Sequence, residues 1–462
     1  MTTQQAAPRT AGPVRGPSTG TLLRAYRDGS LTPTAHVRGV LGLIAEHGDD
    51  GTWISVDAEA ALARAAELEA TPGAADLPLY GVPFGVKDSI DVVDWPTTLA
   101  CPSYAYTPQA TAPAVQRLLD AGAICLGKTN LDQFATGLNG TRTPYPVPRS
   151  VYGGDLISGG SSSGSARAVA LGEVPFAVAT DTAGSGRVPA ALNGVLGYKP
   201  SRGLISTVGL VPACRSLDCL SLVVADPADL RPVLDLMVGV DERDPWSRPR
   251  EHRAVDEGAL VVGLPDASEL TFFGDQPVAA AHASARTVVA EQFRTAPMPL
   301  GPFLAAGELL YSGPWVAERL VEFGDFLAGD HDDVVPVVGA IIRGGARFDA
   351  TDVFRAQYRL AELKAEVGRL FGGVDVLVVP TLGTTFTVPE VLADPVGTNT
   401  VLGHYTHFGN LLDLCAAAVP AGLTADGRPT SLMVLGPALA DDAVLAVATR
   451  LAAVLPISRR PA

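Results

Sequence analysis

Apolar and polar positions along this chain follow two different periods, and the switches between them mark its elements. After Thr32 the apolar residues Val37, Val40, Leu41 and Ile44 recur three and four apart, the spacing of one helix face, with Pro33 in the first turn. A run rich in alanine and glutamate from Val56 to Glu69 predicts a second helix. The period then shortens: "GVPFGVK" reads as a strand, "APAVQRLLDAG" as an amphipathic helix and "AICLG" as another strand. "VPFAVAT" predicts a buried strand that runs straight into "DTAGSGRVPAALNG". Further on, "VDVLVVP" (374–380) and "TSLMVLG" (430–436) read as central strands separated by helices. This alternation predicts an α/β fold, a mixed, mostly parallel central sheet covered by helices on both faces. Residues 1–19 have no such period and are expected to form a disordered arm, and 20–456 reads as a single domain without internal repeats. The pattern is weakest from 225 to 303.

Composition narrows the partners. With 462 residues, 47% of them hydrophobic, the chain can bury a large core. Its formal charge of −15 argues against nucleic acid or an anionic membrane surface as partner, and a small anion would need a local cation to bind. The N-terminal stretch lacks the apolar core of a signal peptide, and no uncharged run is long enough to span a bilayer. Five irregularly spaced cysteines form neither a zinc pattern nor a disulfide framework, which points to reduced thiols in a cytoplasm. Lysine is scarce: Lys87, Lys128, Lys199 and Lys364 stand against thirty arginines. Arginine cannot lose its proton in a protein, whereas a buried lysine can, so each retained lysine is a candidate for chemistry.

Several motifs fail on context. "GAICLGKT" (122–129) fits a phosphate-binding loop, but Ile124, Cys125 and Leu126 belong to a buried strand rather than to a loop of converging amides. "GSSSG" (160–164) fits the nucleophile elbow of another hydrolase class, yet "VYGGDLISG" before it is a poor strand, and His404 and His407 are the downstream histidines it would have to use. Those two histidines lack the third ligand a metal site needs. "DHDD" (330–333) reads as a solvated loop.

Two small-residue turns remain, "SGGSSSGSARAVA" (158–170) and "TDTAGSGRVPA" (180–190). In the second, the backbone amides of Thr182, Ala183, Gly184 and Ser185 are placed to converge on one point, as an oxyanion requires. Lys87 in "GVPFGVKD", Ser161 in "GGSSSGS" and Ser185 in "DTAGSGR" occur in the order seen in the amidase signature family, which the chain resembles. The resemblance implies that Ser185 is the nucleophile, that Ser161, held by a cis peptide after Gly160, bridges, and that neutral Lys87 is the general base. It implies no metal or organic cofactor, and it assigns Asp181 and Arg187 to bracing the turn, with Ser162 and Ser163 bonding within their loop. A lysine amine ordinarily titrates near ~10.4, so this role needs burial, here expected from Val82, Phe84 and Val86.

Within the family, "LACPSYAYTP", "GKTNLDQFATGLNGTRTPY", "VPACRSLDC" and "LGHYTHFGNLLDLCAAAVP" resemble members that act on allophanate, a urea carrying a carboxylate on one nitrogen. That implies a small-molecule anionic amide as substrate, with Tyr311 and Arg319 of "YSGPWVAER" holding its carboxylate. Gly313 and Pro314 predict a helix starting near Pro314, with Tyr311 in the loop before it. A related ureido or malonamate-type acid, or glutamine in the glutaminase component of a tRNA-dependent amidotransferase, are the alternatives. The resemblance further implies a homodimer and asparagine in place of His407. Members with this substrate commonly carry a further C-terminal domain, which a chain ending in "LPISRRPA" is expected to lack.

Overall fold

Thr32 caps the helix Pro33–His47 by accepting the Ala35 N–H on its hydroxyl, as the sequence signals. The computed structural model describes residues 16–251, 255–311 and 313–456. Residues 1–15 lie outside it, but the expected arm ends sooner than residue 19. Ser18 caps the helix Thr19–Arg27, and the Thr19 N–H donates to the buried Asp229 carboxylate (2.9 Å). The second helix also starts later than expected: Val56 ends a strand, Asp57 caps, and the helix is Ala58–Ala70.

One sheet carries eleven strands: β1 (Trp53–Val56), β2 (Pro83–Lys87), β3 (Ile124–Thr129), β4 (Phe176–Asp181), β5 (Leu196–Lys199), β6 (Cys219–Val224), β7 (Val261–Leu264), β8 (Arg294–Pro297), β9 (Val376–Pro380), β10 (Cys415–Leu423) and β11 (Pro429–Gly436). Their spatial order is β1-β3-β2-β4-β6-β5-β10-β11-β9-β7-β8. The sheet is mixed as expected, but it is not mostly parallel. Parallel pairing is confined to β3-β2-β4 and β9-β7-β8. The remaining pairings, including the whole centre from β4 to β9, are antiparallel. For β10 and β11 the reason is connection length. A parallel neighbour needs a crossover of a dozen or more residues, and β10 turns directly into β11 through the short loop around Gly427.

Both faces are covered. Along β4, Phe176 and Val178 join one apolar cluster with Val115, Leu118, Leu230 and Val233 from two helices. Ala177 and Ala179 point the other way, into a second cluster with Val37, Val40, Ala65 and Val169. The "GAICLGKT" segment is β3, a strand and not a phosphate loop. Among the described residues, no helix is long and apolar enough to cross a membrane.

β2 and β4 are parallel neighbours, with Val86 opposite Val178. Lys87 is therefore the last residue of β2 beside Thr180 and Asp181 at the end of β4. They share the carboxyl edge of the sheet, where open α/β sheets build their sites.

Candidate active site

The turn after β4 is held by a buried ion pair. Arg187, the first residue of the helix Arg187–Leu192, forks onto both Asp181 oxygens from Nε (2.8 Å) and Nη2 (2.9 Å), and both side chains are fully buried. Burial alone would raise the Asp181 carboxyl, but Arg187 overrides it and brings the value down to about 2. The same carboxylate accepts the Gly184 N–H (2.8 Å) and the Gly186 N–H (3.2 Å). Asn410 closes the arrangement, donating to the Asp181 carbonyl (2.7 Å) and accepting from Arg187 (3.0 Å). The pair braces the turn as expected. It also corrects the expected oxyanion cradle, because the Gly184 amide is engaged by Asp181, which leaves Thr182, Ala183 and Ser185 from the original set. Gly184 has φ +124°, and a Cβ there would lie 2.4 Å from the Thr406 hydroxyl, so only glycine fits.

Three hydroxyls surround the amine of Lys87. Its Nζ lies 2.7 Å from Ser161 Oγ, 2.9 Å from Ser162 Oγ and 2.7 Å from Thr180 Oγ1. The Gly160–Ser161 peptide is cis. The Ser162 N–H donates to the Ser185 carbonyl (3.1 Å), so the loop with the bridging serine and the turn with Ser185 are joined through backbone. Ser185 itself is 2% exposed. Ser162 is more than an internal brace. Its hydroxyl donates to the Thr180 carbonyl (3.1 Å), which leaves its oxygen to accept from Lys87. Ser163 does bond within its surroundings, onto the Asn130 carbonyl (3.4 Å).

Burial pushes the Lys87 amine down to about 7, against the pull of the Asp132, Asp181 and Asp218 carboxylates, and the Arg319 charge pushes it further the same way. Phe84 and Val86 belong to the large apolar cluster, as expected, but the groups touching the amine are hydroxyls. Asp132 accepts the Gly140 N–H (3.0 Å) and the Arg142 N–H (2.9 Å). Asp218, raised to about 6 by burial, accepts from the Thr182 hydroxyl (2.5 Å) and from the Ala213 and Cys214 N–H groups. Sequence reasoning missed Thr180, Asp132, Asp218 and Asn410, whose roles come from segments that meet only in the folded chain.

Arg319 lies in the helix Trp315–Leu327, which starts after Pro314, and is 3% exposed. Its Nη1 donates to the Thr136 hydroxyl (2.8 Å) and the Ala135 carbonyl (3.3 Å). Tyr311 is not in a loop. It ends the preceding helix, Gly301–Tyr311. Its side chain lies outside the described part of the structure. His407 is buried, with its imidazole pushed down to about 3 by burial and the nearby Arg187 charge. A Cβ on Gly403 would fall 1.7 Å from its ring, so glycine at 403 makes the room.

A fold of this topology carrying a buried lysine against a Gly-Ser loop matches a known family. The chain belongs to the amidase family, whose sequence profile matches residues 41–445. Among its relatives, the urea amidolyase of Lachancea kluyveri is 41% identical over 430 residues, covering 91% of this chain and 24% of that protein. The urea amidolyase of Saccharomyces cerevisiae is 41% identical over 407 residues, covering 87% and 22%. A solved allophanate hydrolase of Kluyveromyces lactis superposes with a TM-score of 0.90 at 38% identity, over 95% of this chain and 73% of that one. The chain spans about a quarter of the length of the urea amidolyases it matches.

Proposed function

We propose that the chain hydrolyses allophanate, releasing ammonia from the terminal amide. The observation that carries the reading is the amine of Lys87, buried and brought near neutrality at about 7, 2.7 Å from Ser161. Ser185 attacks the carbonyl and its proton passes through Ser161 to Lys87, so a C–O bond forms as the π electrons move to oxygen. The amides of Thr182, Ala183 and Ser185 stabilise that oxyanion. The C–N bond then breaks, the proton returns through Ser161 to the leaving nitrogen, and ammonia departs. Water cleaves the acyl-enzyme by the reverse relay and releases the carboxylated carbamate.

The substrate follows from likeness and charge together. An allophanate hydrolase and a urea amidolyase are similar over most of this chain, and the buried Arg319 offers a cation to the substrate carboxylate on an otherwise acidic protein. Tyr311 completes that subsite in this reading. The chain works without a metal or organic cofactor, as a homodimer in a cytoplasm, where its cysteines, unpaired among the described residues, stay reduced. Ammonia release from allophanate by the purified chain is the direct test. Release from malonamate but not allophanate would move the substrate to another anionic amide, and release from glutamine alone would favour the glutaminase component of an amidotransferase.

A further inference from the structure

We infer that Thr136 is a positioning residue that aims Arg319 at the substrate carboxylate, and that its loop, residues 132–142, sets the distance from that cation to the reacting carbonyl. The inference rests on the proposed anionic substrate. Thr136 is fully buried, and its hydroxyl proton is spent on the Phe134 carbonyl (3.0 Å). With the proton fixed there, the oxygen presents a lone pair to Arg319 Nη1 at 2.8 Å. The neighbouring Ala135 carbonyl takes the same nitrogen at 3.3 Å. Phe134 and Ala135 both hold positive φ, 51° and 50°, which turns these two acceptors toward one guanidinium nitrogen.

The loop is anchored at its other end to the proton relay. The Asp132 N–H donates to the Ser161 carbonyl (3.0 Å), and the Gly160 N–H donates to the Leu138 carbonyl (2.8 Å). Arg142 ties the loop to itself, donating from Nη1 to the Thr136 carbonyl (2.8 Å) and from its own N–H to Asp132 (2.9 Å). One short, internally bonded segment thus touches the bridging serine on one side and the anion-holding arginine on the other. A segment built this way selects substrates whose carboxylate lies a fixed span from the scissile amide. A longer acyl chain moves one group out of reach when the other is in place.

The test separates the hydroxyl from the methyl of Thr136. In a Ser185→Ala background, which stops turnover, malonamate affinity is measured by calorimetry for Thr136→Val and Thr136→Ser. Valine is expected to weaken binding by about tenfold or more, and serine by less than about threefold, as loss of a hydrogen bond to a charged group predicts. In the catalytic background, valine raises KM for allophanate with little change in kcat and far less effect on neutral butyramide. Malonamate affinity within about twofold of the parent for valine, or serine as weak as valine, overturns the inference. If valine prevents folding, Thr136→Ala against Thr136→Ser makes the same comparison. A parent chain that ignores allophanate while malonamate binding follows Thr136 refutes the substrate and keeps the positioning role. A parent that hydrolyses allophanate with affinity indifferent to Thr136 refutes the positioning role alone.

Discussion

The neutral amine at position 87 makes a quantitative demand on the pH profile. With Lys87 brought down to about 7, half of the chains hold a free base at pH 7. About a tenth hold it at pH 6 and about nine-tenths at pH 8. An unperturbed lysine at ~10.4 would be free in about four chains in ten thousand at pH 7, so burial raises the supply of base on the order of a thousandfold. Initial rates of ammonia release, read within seconds of diluting alkaline allophanate into each buffer, give kcat/KM across the range. The profile is expected to rise tenfold per pH unit on its acid side and level off above about pH 7. Asp218, held up at about 6 by burial, titrates on the same limb. Asp218→Asn tells the two apart, since removing a carboxylate that supports the ammonium moves the lysine limb to lower pH. Lys87→Arg, which keeps the charge and cannot release it, should lose more than about 99% of kcat/KM. A limb centred above about pH 9, or an arginine variant with activity near the parent's, would refute the reasoning.

Ser185→Ala is expected to lower kcat by more than about a thousandfold without unfolding the chain, checked by ammonia release beside circular dichroism. Gly160→Ala would place a methyl 2.0 Å from Asp132 Oδ2 and 2.8 Å from the Gly140 nitrogen. A loss of about 1–3 kcal/mol in urea denaturation is expected, and an unchanged midpoint would contradict the packing described. Arg187→Met strands a buried carboxylate and should cost about 3–5 kcal/mol. Because Asp181 sits at about 2, below its unfolded value, the parent's stabilisation from this pair holds above about pH 4 and fades as the pH falls through about 2. A variant as stable as the parent at pH 7 would show that the pair does not support the turn.

A strand end and a Gly-Ser run, in a chain where lysine is rare, marked Lys87 and Ser161 as candidates, but it was the resemblance to the amidase signature family that paired them. Strand direction was not legible. Apolar runs such as those of β10 and β11 announce a buried strand but carry no sign for parallel or antiparallel pairing, and only the short turn at Gly427 between them decides it. Thr180 lies in an apolar run where a threonine is unremarkable, and it becomes a partner of the amine only because β2 and β4 end side by side. Thr136 and Asp218 stand 49 and 131 positions from Lys87 by number, and no periodicity spans such separations. The same holds for Gly184, whose amide is free by sequence pattern alone and is taken up by the Asp181 carboxylate only in the folded turn.

Three of the four lysines are fully buried, and their surroundings differ in the one respect that matters for a base. Lys128 meets the Thr97 hydroxyl (3.2 Å) and the Pro96 carbonyl (3.3 Å), but it also faces the Asp88 carboxylate at 3.2 Å. Lys199 meets the Pro200 carbonyl (2.8 Å) and the Cys219 sulfur (3.5 Å). The partners of Lys87 are three hydroxyls: that of Ser162 gives its proton to the Thr180 carbonyl and accepts from the amine, while those of Ser161 and Thr180 can take a hydrogen bond from the amine or give one to it. Three carboxylates lie close enough to be felt there, yet each has its oxygens committed elsewhere: Asp181 to Arg187, Asp132 to the Gly140 and Arg142 amides, and Asp218 to Thr182 and two amides. Those bonds favour the anionic carboxylates and hold them in place without letting one fix the proton on Lys87. The amine is thereby held between two failures. A fully apolar pocket would make it too weak a base to take the serine proton, and a direct carboxylate contact would leave it protonated.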